Sequence, residues 1–158
     1  TIASDTAKLD AMSRGVQVIF GSAVLAICAI VHVAVLAVGI PMFRRFVAFL
    51  PDSRMVHHNI ALLCFGVFII VLAHTIQVWF WAFTFFWLDA FTSFEESFYF
   101  ATITYTTLGY GDLILGEGLR IFGAFAASTG FLTFGISTAF LIGLVVRILP
   151  DTFRTDDD

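Results

Sequence analysis

Apolar residues gather in long runs along the chain. Three of them, 16–40, 59–86 and 119–146, each exceed the ~20 residues a helix needs to cross a bilayer. A fourth, 94–106, is too short to span and ends at a segment carrying two glycines at alternate positions. The pattern predicts an all-α membrane protein with three transmembrane helices and one short re-entrant helix. Non-helical backbone at membrane depth survives only where protein buries it or water fills it. The first run is too long for a secretory signal and no small-residue cleavage site follows it, so it is expected to persist as a span. Between the first two spans, Pro41 to Leu50 mixes phenylalanines with Arg44 and Arg45, which suggests a short interfacial helix starting at Pro41 and stopped by Pro51. Asp52 or Ser53 is placed to cap the second span.

Composition agrees, with 59% apolar and 13% charged residues and a mean hydropathy of +0.97. The few charges set the orientation. Arg44, Arg45 and Arg54 lie between the first two spans, and Arg147 and Arg154 follow the last, so those segments are expected to be cytoplasmic and the N-terminus outside, with Lys8 and Arg14 opposing. The expected location is the plasma (cell inner) membrane, crossed several times. Asp89, Glu95, Glu96, Asp112 and Glu117 cluster around the short run on the opposite side, against a lone Arg120. Repeated around an axis they would concentrate cations at a pore mouth, and Glu95 and Glu96 also suit the start of a helix.

The chemistry is concentrated in Thr106-Thr107-Leu108-Gly109-Tyr110-Gly111-Asp112. Successive carbonyls point the same way only if alternate residues leave the ordinary helix and strand regions, and glycine removes the cost of doing so. With Gly109 and Gly111 at alternate positions, the carbonyls of Thr107, Leu108, Gly109 and Tyr110, with the Thr107 hydroxyl below them, could line a narrow axis and bind a dehydrated cation, K+ by the resemblance given below. A single such segment encloses an ion only when copies surround an axis, so a four-fold homotetramer is expected.

The segment resembles the selectivity filter of the potassium-channel family, TVGYG followed by Asp, with Leu108 in place of valine. The resemblance implies a pore domain over 59–148 (outer helix, pore helix, filter, inner helix), an N-terminal segment 1–58 holding an additional span, and a short cytoplasmic tail 149–158. Tyr99 and Phe100 fall where the family places an aromatic pair behind the filter; with Thr106 and Asp112 they are the expected filter support and outer mouth. Phe94, Phe98, Phe100 and Tyr105 are expected to clamp Tyr110 by packing. Ile103 stands where some members carry a glutamate paired to the filter aspartate. Downstream, Gly130 corresponds to the gating glycine of the inner helix, while Gly123, Gly135 and Gly143 suit close helix packing. Helical spacing from Phe131 selects Phe134, Thr138, Ile142 and either Val145 or Val146 as one face, expected to line the conduit and to shut by dewetting at Ile142 and Val146.

The remaining polar residues within the spans are Gln17, Cys28, His32, Cys64, His74 and Gln77. Interhelical hydrogen bonding is their expected role. His32 falls toward the inner half of its span and His74 toward the outer half of an antiparallel one, so direct pairing is not expected. The first span contains no arginine ladder and cannot be a voltage sensor; peripheral packing is its expected role. The sequence points to passive potassium conduction, with lipid and K+ as partners and neither a cofactor nor nucleic acid. A weakly selective cation channel is one alternative. A membrane cytochrome binding haem through His32 and His74 is the alternative from another class. No zinc motif, phosphate loop or nucleophile with a base is present, so no enzyme activity is expected.

Overall fold

A computed structural model describes residues 14–48 and 55–148. It contains four helices: α1 (Arg14–Ala48), α2 (Met55–Trp87), α3 (Phe94–Tyr105) and, after a 3-10 turn at Glu117–Leu119, α4 (Arg120–Ile148). There is no strand among the described residues. Three stretches are long and apolar enough to cross a membrane: Gly15–Met42, Asn59–Trp87 and Glu117–Arg147. The 12 residues of α3 rise only about 18 Å, well short of a bilayer core of about 30 Å.

The expected separate helix at Pro41 does not form, because Pro41 lies inside α1, which continues to Ala48. Proline there frees only the Ala37 carbonyl, a loss that membrane helices tolerate. The suggested caps Asp52 and Ser53, Arg54, Lys8, Arg154 and the tail 149–158 lie outside the described residues.

Both ends of the α2–α3 connection are closed by local hydrogen bonds. At the end of α2, Ala90 N–H donates to the Phe85 carbonyl at 3.0 Å and Asp89 N–H to that of Phe86 at 3.1 Å, with Asp89 at φ 50°. This is a Schellman closure with aspartate in the left-handed position usually held by glycine. At the start of α3, Ser93 Oγ accepts from Glu96 N–H at 3.1 Å, and Glu96 Oε2 accepts from Thr92 N–H at 3.1 Å and from Thr92 Oγ1 at 2.8 Å. The exchange is a capping box moved back by one residue.

The core lies where α2, α3 and α4 meet, around Trp81, Phe85, Phe100, Ala101, Tyr105, Leu115, Phe122 and Ala126. Helix α1 packs along both α2 and α4, and glycines bring the backbones together at each contact. A Cβ on Gly21 would enter the Phe125 ring, one on Gly39 would stand 3.0 Å from Ile69, and on α2 one at Gly66 would stand 2.6 Å from Leu144. In lipid, such small-residue approaches give helices dispersion contact that hydrophobicity cannot supply.

Candidate functional site

The loop leaving α3 is suspended from that helix's last turn. Thr107 N–H donates to the Thr104 carbonyl at 2.9 Å and Gly109 N–H to that of Ile103 at 3.0 Å. Beyond them φ alternates in sign: Thr107 at 60°, Gly109 at 50° and Gly111 at 78° are left-handed, while Leu108 and Tyr110 are not. Alternation of this kind gathers N–H groups on one side of a backbone and carbonyls on the other. The alternation begins at Thr107, one step before the glycines that mark it in the sequence. A β-branched residue at positive φ is strained by ~1–3 kcal/mol, a cost concentrated at functional sites. No residue-type signal announced it.

The mouth of the loop is tied by one strong bond, Tyr99 Oη donating to Asp112 Oδ2 at 2.7 Å. That bond holds the Asp112 carboxyl below its ordinary 3.8 and raises the Tyr99 hydroxyl above its ordinary 10.0. Thr106 Oγ1 turns back to the Thr102 carbonyl at 2.8 Å. Phe100 lies behind the helix instead, buried against Phe85 and Phe91, while Phe94 and Phe98 pack on Trp79. The expected aromatic clamp on Tyr110 is absent within the chain: none of these rings reaches it. Residues 106–112 are all exposed, with Leu108 at 55% and Tyr110 at 68%.

On α4, Phe131, Thr138, Ile142 and Val146 form one exposed stripe. Phe134, exposed like them, also stacks on His74, ring centroids 4.4 Å apart. Gly130 is buried in an unbroken helix, and a Cβ there would overlap the Tyr105 carbonyl oxygen and stand 2.7 Å from its carbon. Glycine is therefore required at 130 for close approach to the end of α3, whatever flexibility it adds. Gly123 meets Leu115, whereas Gly135 and Gly143 face open space.

The expected separation of His32 and His74 is wrong. Their rings lie 4.8 Å apart, because α1 runs on to Ala48 and His32 sits near its middle. Every nitrogen of the pair is engaged: His32 Nδ1 with Gln77 Nε2 at 3.1 Å, His32 Nε2 with Ser137 Oγ at 2.8 Å, His74 Nδ1 with Tyr105 Oη at 2.8 Å, and His74 Nε2 with Ser137 Oγ at 3.1 Å. Both Nε2 atoms converge on one serine, leaving no room for a porphyrin between the rings and no free ligand atom, so the haem alternative fails. Ser137, Thr133 and Tyr105 were not singled out as partners, since serine and threonine in a membrane helix ordinarily bond their own preceding turn. Cys28 is buried, Cys64 lies on the outer surface of α2, and neither forms a disulfide.

No curated protein and no solved structure matches the chain significantly. A family model described as an ion channel matches residues 58–147, more than half of the sequence, and its limits take in nearly all of α2, the short α3, the strained loop and nearly all of α4. With three spanning helices around that unit, this multi-pass membrane protein belongs to the pore-loop ion channel family.

Proposed function

We propose that the protein is a potassium-selective channel conducting K+ passively, with four copies of Thr107–Gly111 forming its filter. The observation that carries this reading is the alternating backbone at Thr107, Gly109 and Gly111, held by two hydrogen bonds from the end of α3. In a four-fold ring, the carbonyls of Thr107, Leu108, Gly109 and Tyr110 would replace the hydration shell of K+, and the Thr107 hydroxyls would add the innermost oxygens. Helix α3 then serves as the re-entrant pore helix and α4 as the inner helix. Thr138, Ile142 and Val146 face the inner conduit. Glu95, Glu96 and Asp112, with Asp89 and Glu117, make the outer mouth anionic and raise the local cation concentration. On this reading the protein lies in the cell membrane with its N-terminus outside and its C-terminus in the cytoplasm, and it acts as a channel rather than an enzyme.

The test is flux from liposomes containing purified protein, comparing K+, Rb+, Na+ and Li+, with the assembly mass measured in mild detergent. The expected result is a tetramer that passes K+ and Rb+ and excludes Na+ and Li+. Equal passage of Na+ and K+ would make it a weakly selective cation channel, and a conducting dimer would remove the four-fold filter.

A further inference from the structure

Five side chains contributed by all four helices meet in one cluster, buried except for the half-buried His74: His32 from α1, His74 and Gln77 from α2, Tyr105 from α3 and Ser137 from α4. With both histidines neutral, partner chemistry assigns a sense to each bond. Gln77 Nε2 lies 3.1 Å from the Cys28 carbonyl, which can only accept, so the amide nitrogen faces α1 and its oxygen faces Tyr105. The Tyr105 hydroxyl must then donate to Gln77 Oε1, at 3.1 Å. Its single hydrogen is spent there, so at His74 the phenol oxygen accepts and Nδ1 carries the proton. A neutral His74 accepts at Nε2, which takes the Ser137 hydroxyl hydrogen. Ser137 Oγ in turn accepts from His32 Nε2–H, leaving His32 Nδ1 to accept the second amide hydrogen of Gln77. Tyr105 Oη also meets Thr133 Oγ1 at 2.8 Å, and closing the circuit requires the Thr133 hydroxyl to turn to it from the Thr129 and Gly130 carbonyls, at 2.9 and 3.1 Å.

The result is a closed ring, Gln77 to His32 to Ser137 to His74 to Tyr105 and back to Gln77, in which each member donates once and accepts once around the circuit. The two histidines are neutral and of opposite tautomers. Bonds arranged head to tail polarise one another, and no water stands by in a membrane interior to replace a lost partner. Removal of one member therefore orphans a donor and an acceptor on other helices.

The position of Tyr105 gives the ring its consequence. Tyr105 is the last residue of α3, its carbonyl rests on Gly130, and the carbonyls just before it, Ile103 and Thr104, hold Gly109 and Thr107. We propose that the ring makes α1 a brace of the filter: His32, Gln77, His74 and Ser137 are positioning residues that fix Tyr105, and through it the Thr107–Gly111 backbone, so that movement of α1 changes ion selection. This assignment goes beyond peripheral packing of the first helix and rests on the filter reading above.

The experiment compares Ser137→Ala, His32→Asn and the hydroxyl-preserving Ser137→Thr with Thr84→Val, which removes a hydroxyl bond to the preceding turn of α2, outside the ring. Reconstituted proteins are assayed for the K+ to Na+ flux ratio, and hydrogen exchange is followed in the segment 103–112. Breaking the ring is expected to lower the flux ratio about tenfold, the effect of losing one interaction of ~1.4 kcal/mol, and to speed exchange at Gly109. Ser137→Thr and Thr84→Val should leave both near wild type. 15N spectra of the histidines in lipid should give one Nδ1–H and one Nε2–H form, with the tautomer of His74 released in Tyr105→Phe. A loss of thermal stability with flux ratio and exchange unchanged overturns the brace, as does a wild-type pair sharing one tautomer. Faster filter exchange in Ser137→Ala, in a wild-type protein that fails to prefer K+, would uphold the brace and reject potassium selectivity. Should Ser137→Ala not assemble, His32→Asn carries the same comparison.

Discussion

Gly130→Ala sets two readings of one glycine against each other. If residue 130 acts as a flexible point in α4, alanine stiffens the helix and stabilises it by ~1 kcal/mol. The close approach demands the reverse. The new methyl group would stand 2.7 Å from the Tyr105 carbonyl carbon and overlap its oxygen, so α3 and α4 must part by at least ~0.8 Å to regain ordinary contact. The obstruction is backbone and cannot rotate away. Overpacking of this kind costs ~1–3 kcal/mol, which exceeds the gain in helix propensity, so the variant should be less stable by up to ~2 kcal/mol. The displaced turn is the one whose carbonyls hold Thr107 and Gly109, so selectivity should fall along with stability. The assay is thermal unfolding in detergent alongside K+ and Na+ flux in liposomes, normalised to reconstituted protein. A more stable protein with intact selectivity and reduced opening would refute the close-approach argument and restore flexibility as the reason for the glycine.

Gly109→Ala meets no neighbour within 4 Å but must hold φ at 50°, a strain of ~1–2 kcal/mol in every subunit. Selective flux should collapse while the assembly mass is unchanged, and undiminished K+ preference would count against the filter. Tyr99→Phe removes the donor that lowers the Asp112 pKa. Because the shift is downward, the stabilisation it represents is present above the ordinary value of 3.8 and is lost as pH falls through the lowered one. In the variant, external acid should therefore reduce K+ flux at a higher pH than in wild type, read from flux between about pH 3 and 5; coincident titrations would show that Asp112 does not govern entry. Ile142→Asn should hydrate the inner stripe and raise resting K+ flux, and unchanged basal flux would move control to the filter.

The spans and the short helix were legible because membrane length and apolar continuity are strong one-dimensional signals, and the ends of α2, α3 and α4 lie close to the apolar runs. Pro41 misled, since a residue that stops helices in water is carried inside α1. The loop after α3 was legible through Gly109 and Gly111, whereas the left-handed Thr107 was not, because threonine is selected against that conformation and is held there by its surroundings. The histidine ring was hidden for a different reason. Its members lie up to 105 residues apart, and only the crossing of four helices brings His32 to Ser137 or Gln77 to Tyr105. Depth counted from the ends of each run did not foresee the contact between His32 and His74.

The exposure of residues 106–112 constrains how the protein is made. A single copy presents a stretch of strained, non-helical backbone, with Leu108 and Tyr110 uncovered. In hydrocarbon, unpaired peptide groups cost several kcal/mol each, and nothing in lipid can satisfy them. A lone subunit inserted in the bilayer would therefore be driven to draw this loop inward or to let it collapse. On the filter reading proposed above, the carbonyl column becomes tolerable only when sister chains enclose it and admit water and ions. Association and the final local folding of Thr107–Gly111 are then a single thermodynamic event, governed by the density of subunits in the membrane as well as by the sequence of each one.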